Sequence, residues 1–194
     1  MTASEVSQKL TLQTQVLLVL FCALAYFYAF KLNVYWFDWI EFSHGVNWIY
    51  IPSGLRLLFV LIVARLGGIG VALSSIAVNY SYGNSDAHVF NIVTGVISGA
   101  SPCIARYLAI QQLNLDALLV NLTARDFLKI SVLFALVNAL LHQLWYFWME
   151  KTQEFFASTL AMSVGDWFGT VLVLTIASLG IQLFKLLQSH KPLA

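Results

Sequence analysis

The sequence predicts an all-α integral membrane protein, a bundle of about six transmembrane helices with short or broken helices on the outer side, built as a single domain over residues 1–194. Three observations predict it. Hydrophobic residues make up 60% of the chain and charged residues only 10%, where a soluble domain carries roughly a quarter charged. Mean hydropathy is +0.80. The apolar residues gather in runs, and at about 20 residues per span the length holds roughly five or six spans with no room for a separate soluble domain. The formal net charge of +1 gives no sign of a nucleic-acid surface. Cys22 and Cys103 sit in apolar stretches without the spacing of a zinc site or disulfide framework, and read as small buried hydrophobes.

The first run, Gln15 to Phe30, is long enough to span. "ALA" at 23–25 has the look of a cleavage site, but Lys9 is the sole basic residue before it and bulky Tyr26, Phe27 and Tyr28 follow, so a retained helix is expected. Pro52 to Arg65 and Leu66 to Tyr80 come next, divided by "RLGGIG", whose glycines make a tight helix-to-helix turn possible. His88 to Tyr107 contains "NIVTGVISGASPC", a small-residue stretch suited to close packing inside a bundle. Asp126 to Trp148 opens on Thr123 and Asp126 as a capping box. From Glu154 to Lys185 the sole charge is Asp166, and at 1.5 Å per residue that stretch exceeds a ~30 Å hydrocarbon core. A break near "VGD" is therefore expected, leaving Phe155 to Ser163 as a short interfacial helix and Trp167 to Leu187 as the span, with Asp166 near its N-cap.

Six spans with both termini cytoplasmic put Lys9, Arg65, Arg106, Arg125, Lys129, Lys185 and Lys191 inside and only Lys31 and Lys151 outside, which fits the positive-inside rule. The stretch "NVYWFDWIEFSHGVNWIYI" is too aromatic for a free loop and belongs in the outer headgroup region. With that orientation the polar residues of the spans converge on the outer half: Arg56, Asn79, Tyr80, Asn91, Asp166 and Trp167, together with Asn138, His142 and Trp145, which recur at i, i+4 and i+7 on one helix face. Leaving an ionisable group in hydrocarbon costs about 2.5–3.5 kcal/mol even on lenient insertion scales, so Arg56 is expected to find Asp166 across the bundle. Three readings follow: a structural ion pair holding short helices together, a snorkelling Arg56 that reaches lipid headgroups, or an outward-facing pocket lined by Arg56, Asp166, His142, Asn91, Asn138, Asn79, Tyr80, Trp145 and Trp167. In the pocket reading a small anion or carboxylate is the natural guest, received by Arg56 and by the start of the second segment at Pro52 to Gly54.

No serine sits in a nucleophile elbow, no paired carboxylates share a helix face and no GxxxxGK loop exists, so no enzyme is expected. No cofactor is expected, and His44, His88 and His190 make no metal site. The stretches "WIYIPSGLRLLFVLIVARLGGIGVAL", "ARDFLKISVLFALVNALL" and "MSVGDWFGTVLVL" resemble the bacterial membrane-associated sensor family, the first type of the MASE group, over roughly Trp48 to Leu187. The matching positions are Trp48, Pro52 and Gly54, then Arg125 and Asp126, then Gly165, Asp166 and Gly169. The resemblance implies an inner-membrane sensory module of the kind fused to cytoplasmic cyclase, phosphodiesterase or kinase domains. Only "QSHKPLA" follows Leu187, so the expectation is a sensor without a fused output domain. Such a sensor would sit in the bilayer, bind a small anionic ligand from the periplasmic side and work through a partner chain or a second copy. The competing expectations are an accessory subunit of a larger membrane complex, using the small-residue face of Gly95, Ser98, Gly99 and Ser101, and the substrate-binding component of a transporter.

Overall fold

The computed structural model describes residues 10–43, 45–83, 86–113, 115–116 and 122–189. Lys9, His44, His190 and Lys191 lie outside the described residues. Among the described residues six α-helices follow one another: α1 (Leu12–Phe37), α2 (Ile51–Val63), α3 (Arg65–Tyr82), α4 (His88–Leu113), α5 (Ala124–Trp148) and α6 (Phe155–Ser189). A 3-10 turn (Asp38–Ile40) and a hairpin of β1 (Glu41–Ser43) and β2 (Val46–Asn47) connect α1 to α2. Four helices, α1, α4, α5 and α6, are long and apolar enough to cross a membrane, which makes the chain a multi-pass membrane protein. Helix α2 has 13 residues, about 20 Å, too short to cross alone.

Contacts along the helices fix an alternating up-and-down arrangement. Asn33 of α1 meets the start of α2 and Cys22 meets Phe59, so those two helices are antiparallel. Asn79 reaches Asn91, Ser101 reaches Asn138 and Asn138 reaches Asp166, which continues the alternation through α3, α4, α5 and α6. The end that carries the β-hairpin is called the hairpin end below. Much of α1 points outward, with Leu17, Leu20, Phe21 and Leu24 exposed, as a lipid-facing helix requires.

Local chemistry accounts for the boundaries. Thr11 caps α1 by accepting from Thr14 N–H, and the helix runs seven residues past the expected end at Phe30. Tyr26 and Asn33, both buried, face the bundle from α1 and pin it there. Thr123 and Asp126 form the expected capping box at α5. The hairpin is anchored by Val46, 1% exposed, which packs with Ala139, Ala161 and Met162 between α5 and α6.

Two expectations are corrected. The turn between α2 and α3 is made by Ala64 alone, at φ 50°, and not by the glycines of "RLGGIG". Those glycines lie inside α3 as packing surfaces: a Cβ on Gly67 would strike the backbone of Phe59, on Gly68 the Cys103 sulfur and Gly99, and on Gly70 the backbone of Val19. The second correction concerns α6, which is a continuous helix of 35 residues with no break at "VGD". Gly165 and Gly169 do not end a helix; they are the seats on which the Asn47 to Tyr50 segment rests, since a Cβ at either would run into the Asn47 or Tyr50 carbonyl. Tyr50 N–H donates to the Gly165 carbonyl at 3.2 Å at the same place. Asp166 is consequently an interior residue of α6, not an N-cap, and its charge is met sideways by α5.

The small-residue face of α4 is consumed within the chain. A Cβ on Gly95 would meet Ile76 and Ala72 of α3, and one on Gly99 would meet Gly68 and Ala72. Pro102 lies inside α4 and withholds the amide that the Ser98 carbonyl would otherwise accept from. Cys22 is buried in a cluster with Tyr26, Phe59 and Val71, whereas Cys103 is half-buried against α3.

Candidate functional site

The site grows from one cation. Arg56 lies early in α2, which begins with Pro52 in its first turn and has no side-chain cap of its own. Asn33 of α1 supplies one instead, accepting from Ile51 N–H at 2.9 Å. Buried to 4% exposure, Arg56 could not persist without acceptors. Its Nε donates to the Tyr26 hydroxyl at 3.0 Å and its Nη2 donates to the same hydroxyl and, at 3.3 Å, to that of Tyr50. Nη1 donates to Asn138 Oδ1 at 3.3 Å. The guanidinium also lies 5.2 and 5.1 Å from the centroids of the Tyr26 and Tyr50 rings, within cation–π range. Four of the five N–H groups of a guanidinium are thus engaged by protein.

Asn138 is the link between the charges. Its Oδ1 accepts from Arg56 and, at 2.6 Å, from Ser101 Oγ, while its Nδ2 donates to Asp166 Oδ2. The reverse amide orientation would press NH2 against the guanidinium and leave two acceptors facing each other, so the network fixes the assignment. Arg56 and Asp166 make no direct salt bridge; the carboxamide carries the cation's hydrogen bond on one side and the anion's on the other. That corrects the expected ion pair. An amide can satisfy both charges at once, with donor and acceptor in one planar group, and lets them stay apart.

Around this relay the α5 face is paired rung by rung with α4. Asn138 meets Ser101, His142 Nε2 lies 3.2 Å from Ser98 Oγ, and Trp145 Nε1 donates to Thr94 Oγ1 at 3.1 Å. The i, i+4, i+7 spacing on α5 is answered by 101, 98 and 94 on the antiparallel α4. His142 Nδ1 lies 2.9 Å from the Asn138 carbonyl, which can only accept, so a neutral ring carries its proton there and accepts from Ser98 through Nε2. Ser75 Oγ donates to Ser98 and ties α3 to the chain of hydroxyls.

Above the relay a cavity of about 300 Å³ opens toward the hairpin end. Asp38, Glu41, Gly45, Gly83, Ala87 and Lys151 surround its mouth, with Asn91 beside Gly83; Phe30, Val34, Val78, Phe90, Tyr146 and Met162 form apolar walls, and Arg56, Asp166, His142 and Ser98 lie at its floor. Two side-chain oxygens of lining residues are buried without a hydrogen-bond partner: Asp166 Oδ1 and Asn47 Oδ1. Among the described residues, no three His, Cys, Asp or Glu side chains come together as a metal site.

Of the nine residues singled out from the sequence, Arg56, Asp166, His142, Asn91 and Asn79 line the cavity. Asn138 lies behind the floor as the relay, and Trp145 backs the wall, stacked on Phe90 with centroids 6.2 Å apart. Tyr80 is elsewhere, on the rim with its hydroxyl 3.0 Å from His88 Nδ1. Trp167 also lies off the cavity, half-buried with its Nε1 unpartnered. The residues missed from the sequence are Tyr26, Tyr50 and Asn47, while Ser98 and Ser101, expected as a small-residue packing face, are hydrogen-bonding members of the site. A guanidinium with five donors needs more oxygens than one carboxylate offers, and that count was the available signal for tyrosines at matching depth. No family model, curated protein or solved structure matches this chain.

Proposed function

We propose that the chain is a non-enzymatic receptor module of the bacterial inner membrane that admits a small polar solute from the periplasmic side and works through a partner chain. One observation carries this reading: a cavity of about 300 Å³ descends from the hairpin end to a buried Arg56–Asn138–Asp166 relay in which Asp166 Oδ1 has no partner. A volume of that size is at the lower end of small-molecule sites, about 300–1,000 Å³, and a mostly apolar lining with a few convergent polar groups is their usual character. The resemblance of Trp48, Pro52, Gly54, Arg125, Asp126, Gly165, Asp166 and Gly169 to first-type MASE sensors points the same way.

In this proposal the six alternating helices form the membrane bundle, with the 13-residue α2 reaching only part of the way across, and both termini are cytoplasmic. Arg65, Arg106, Arg125 and Lys129 lie away from the hairpin end, whereas Asp38, Glu41, Asp86, Glu150 and Glu154 lie at it with Lys31 and Lys151, and that asymmetry supports a periplasmic cavity mouth.

Thermal melting of the purified protein against a mixed panel of amines, carboxylates, sugars and nucleosides tests the reading. At least one solute should raise the midpoint of the wild type and leave Val78→Trp, which fills the cavity, unchanged; ligand at about 100 times its Kd contributes about 2.7 kcal/mol. A panel without any such solute overturns the proposal.

A further inference from the structure

We propose that the cavity recognises its guest through a protonated amine, with the ammonium group seated on Asp166 Oδ1. The inference rests on the reading of the cavity as a binding site and names the class of its ligand. Hydrogen-bond inventory is the starting point. The one cation at the floor, Arg56, has committed Nε, Nη2 and half of Nη1 to Tyr26, Tyr50 and Asn138, so it presents no open fork to a carboxylate or phosphate. Beyond the second Nη1 N–H, what the lining leaves over is acceptors. Asp166, 1% exposed, has an unpartnered carboxylate oxygen, and the Asn47 carboxamide oxygen is likewise buried and unpartnered. A buried acceptor is completed by a donor, and an ammonium brings up to three.

The rest of the cavity agrees with a cation. Tyr26 and Tyr50 already face Arg56, and Phe90 faces Lys151 at 6.0 Å, but the Tyr146 ring lines the cavity with no such cation over it among the described residues, and π faces attract ammonium groups. At the mouth the carboxylates of Asp38 and Glu41 outnumber Lys151, which favours the arrival of positive charge. A carboxylate guest would meet Asp166 instead, with most of the Arg56 donors already taken. The apolar walls and the volume of about 300 Å³ select an amine on a compact hydrocarbon body rather than a polyamine or a peptide.

Matched probes of equal shape test the class: phenethylamine against 3-phenylpropanoate, cyclohexylamine against cyclohexanecarboxylate, with phenethyl alcohol as the neutral control for partition into detergent. Calorimetric titration and thermal melting of the wild type should show binding of the amines at least tenfold tighter than of their carboxylate partners and of the alcohol. Asp166→Asn should weaken the amines at least tenfold. Asn47→Asp, at a half-buried position that perturbs the relay less, should tighten the amines about threefold or more by adding negative charge to the cavity, and so keeps the test decisive if Asp166→Asn does not fold. Tighter binding of the carboxylates, or equal binding of the two members of each pair, overturns the amine assignment and leaves the receptor reading standing. Binding of panel solutes other than amines, with no amine bound, does the same. No stabilisation by any solute overturns the receptor reading itself.

Discussion

A single carboxamide decides how two buried charges live in this bundle. Asn138 takes one hydrogen bond from Arg56 and gives one to Asp166, and hydrogen bonds to charged groups are worth about 1.5–3 kcal/mol each. Replacing it with leucine leaves both charges short of a partner, and Asn138→Leu should destabilise the protein by about 3–5 kcal/mol, measured as a fall in the thermal midpoint in detergent. The exchange Asn138→Asp with Asp166→Asn gives a sharper test. Each single variant disturbs the alternation of donor and acceptor, whereas the double variant restores a carboxylate beside Arg56 and an amide beyond it. It should recover more than half of the summed loss in a double-mutant cycle. Arg56, Asp166 and the Asn138 face were legible in the sequence because an ionisable group or a regular polar spacing stands out in apolar runs. The relay was not, since sequence fixes depth along a helix but not which side chain lies between two others. Tyr26 and Tyr50 were hidden for a different reason: a tyrosine in an aromatic run looks like interfacial packing until its hydroxyl is seen at 3.0 Å from a guanidinium and from a second hydroxyl.

At the level of elements, the helices read well and their joints did not. Periodic apolar stretches and the Thr123 capping box mark where α4 and α5 begin, but the glycines, which in a sequence look like punctuation, are contact surfaces. Gly165 and Gly169 stand directly under the Asn47 and Tyr50 carbonyls, so alanine at either must push the connecting segment off α6. Overpacking of this kind typically costs about 1–3 kcal/mol, and each variant should lower the melting midpoint accordingly. Gly180→Ala is the control, because nothing lies within 4 Å of its added Cβ. It should be neutral or stabilising, as alanine is favoured over glycine in a helix by about 1 kcal/mol. Ala64 presents the opposite case. It holds φ 50° in the one-residue joint between α2 and α3, a conformation glycine adopts without its Cβ penalty. Ala64→Gly should raise stability by about 1 kcal/mol, read by the same melts, and Ala64→Val should lower it.

For the molecule as a whole, an even number of alternating helices leaves the first and last helices with their free ends on one side of the bundle, opposite the cavity mouth. Under the proposed orientation, reporter fusions that are active only in the cytoplasm should be active at both termini and silent when inserted in the hairpin near Gly45. The all-α, multi-pass character was legible because hydropathy and span length are properties of long segments. The expected break in α6 is absent, because excess apolar length does not by itself interrupt a helix whose backbone bonds are all satisfied along it. Instead the helix remains whole, about 52 Å from end to end for its 35 residues, and tertiary partners absorb its polar and glycine positions one by one.

That uninterrupted rod has its upper shoulder wedged beneath the segment that frames the cavity. Tyr50 N–H is bonded to the Gly165 carbonyl with no side chain between the two backbones. From Gly165 to Ser189 the helix extends about 36 Å further without a hinge residue of the proline type. Under the proposed function, a guest that lifts the Tyr50 segment would push on Gly165 directly, and the continuous helix would carry that push toward its far tip as tilt or travel, as the end of an oar moves when the rowlock is nudged.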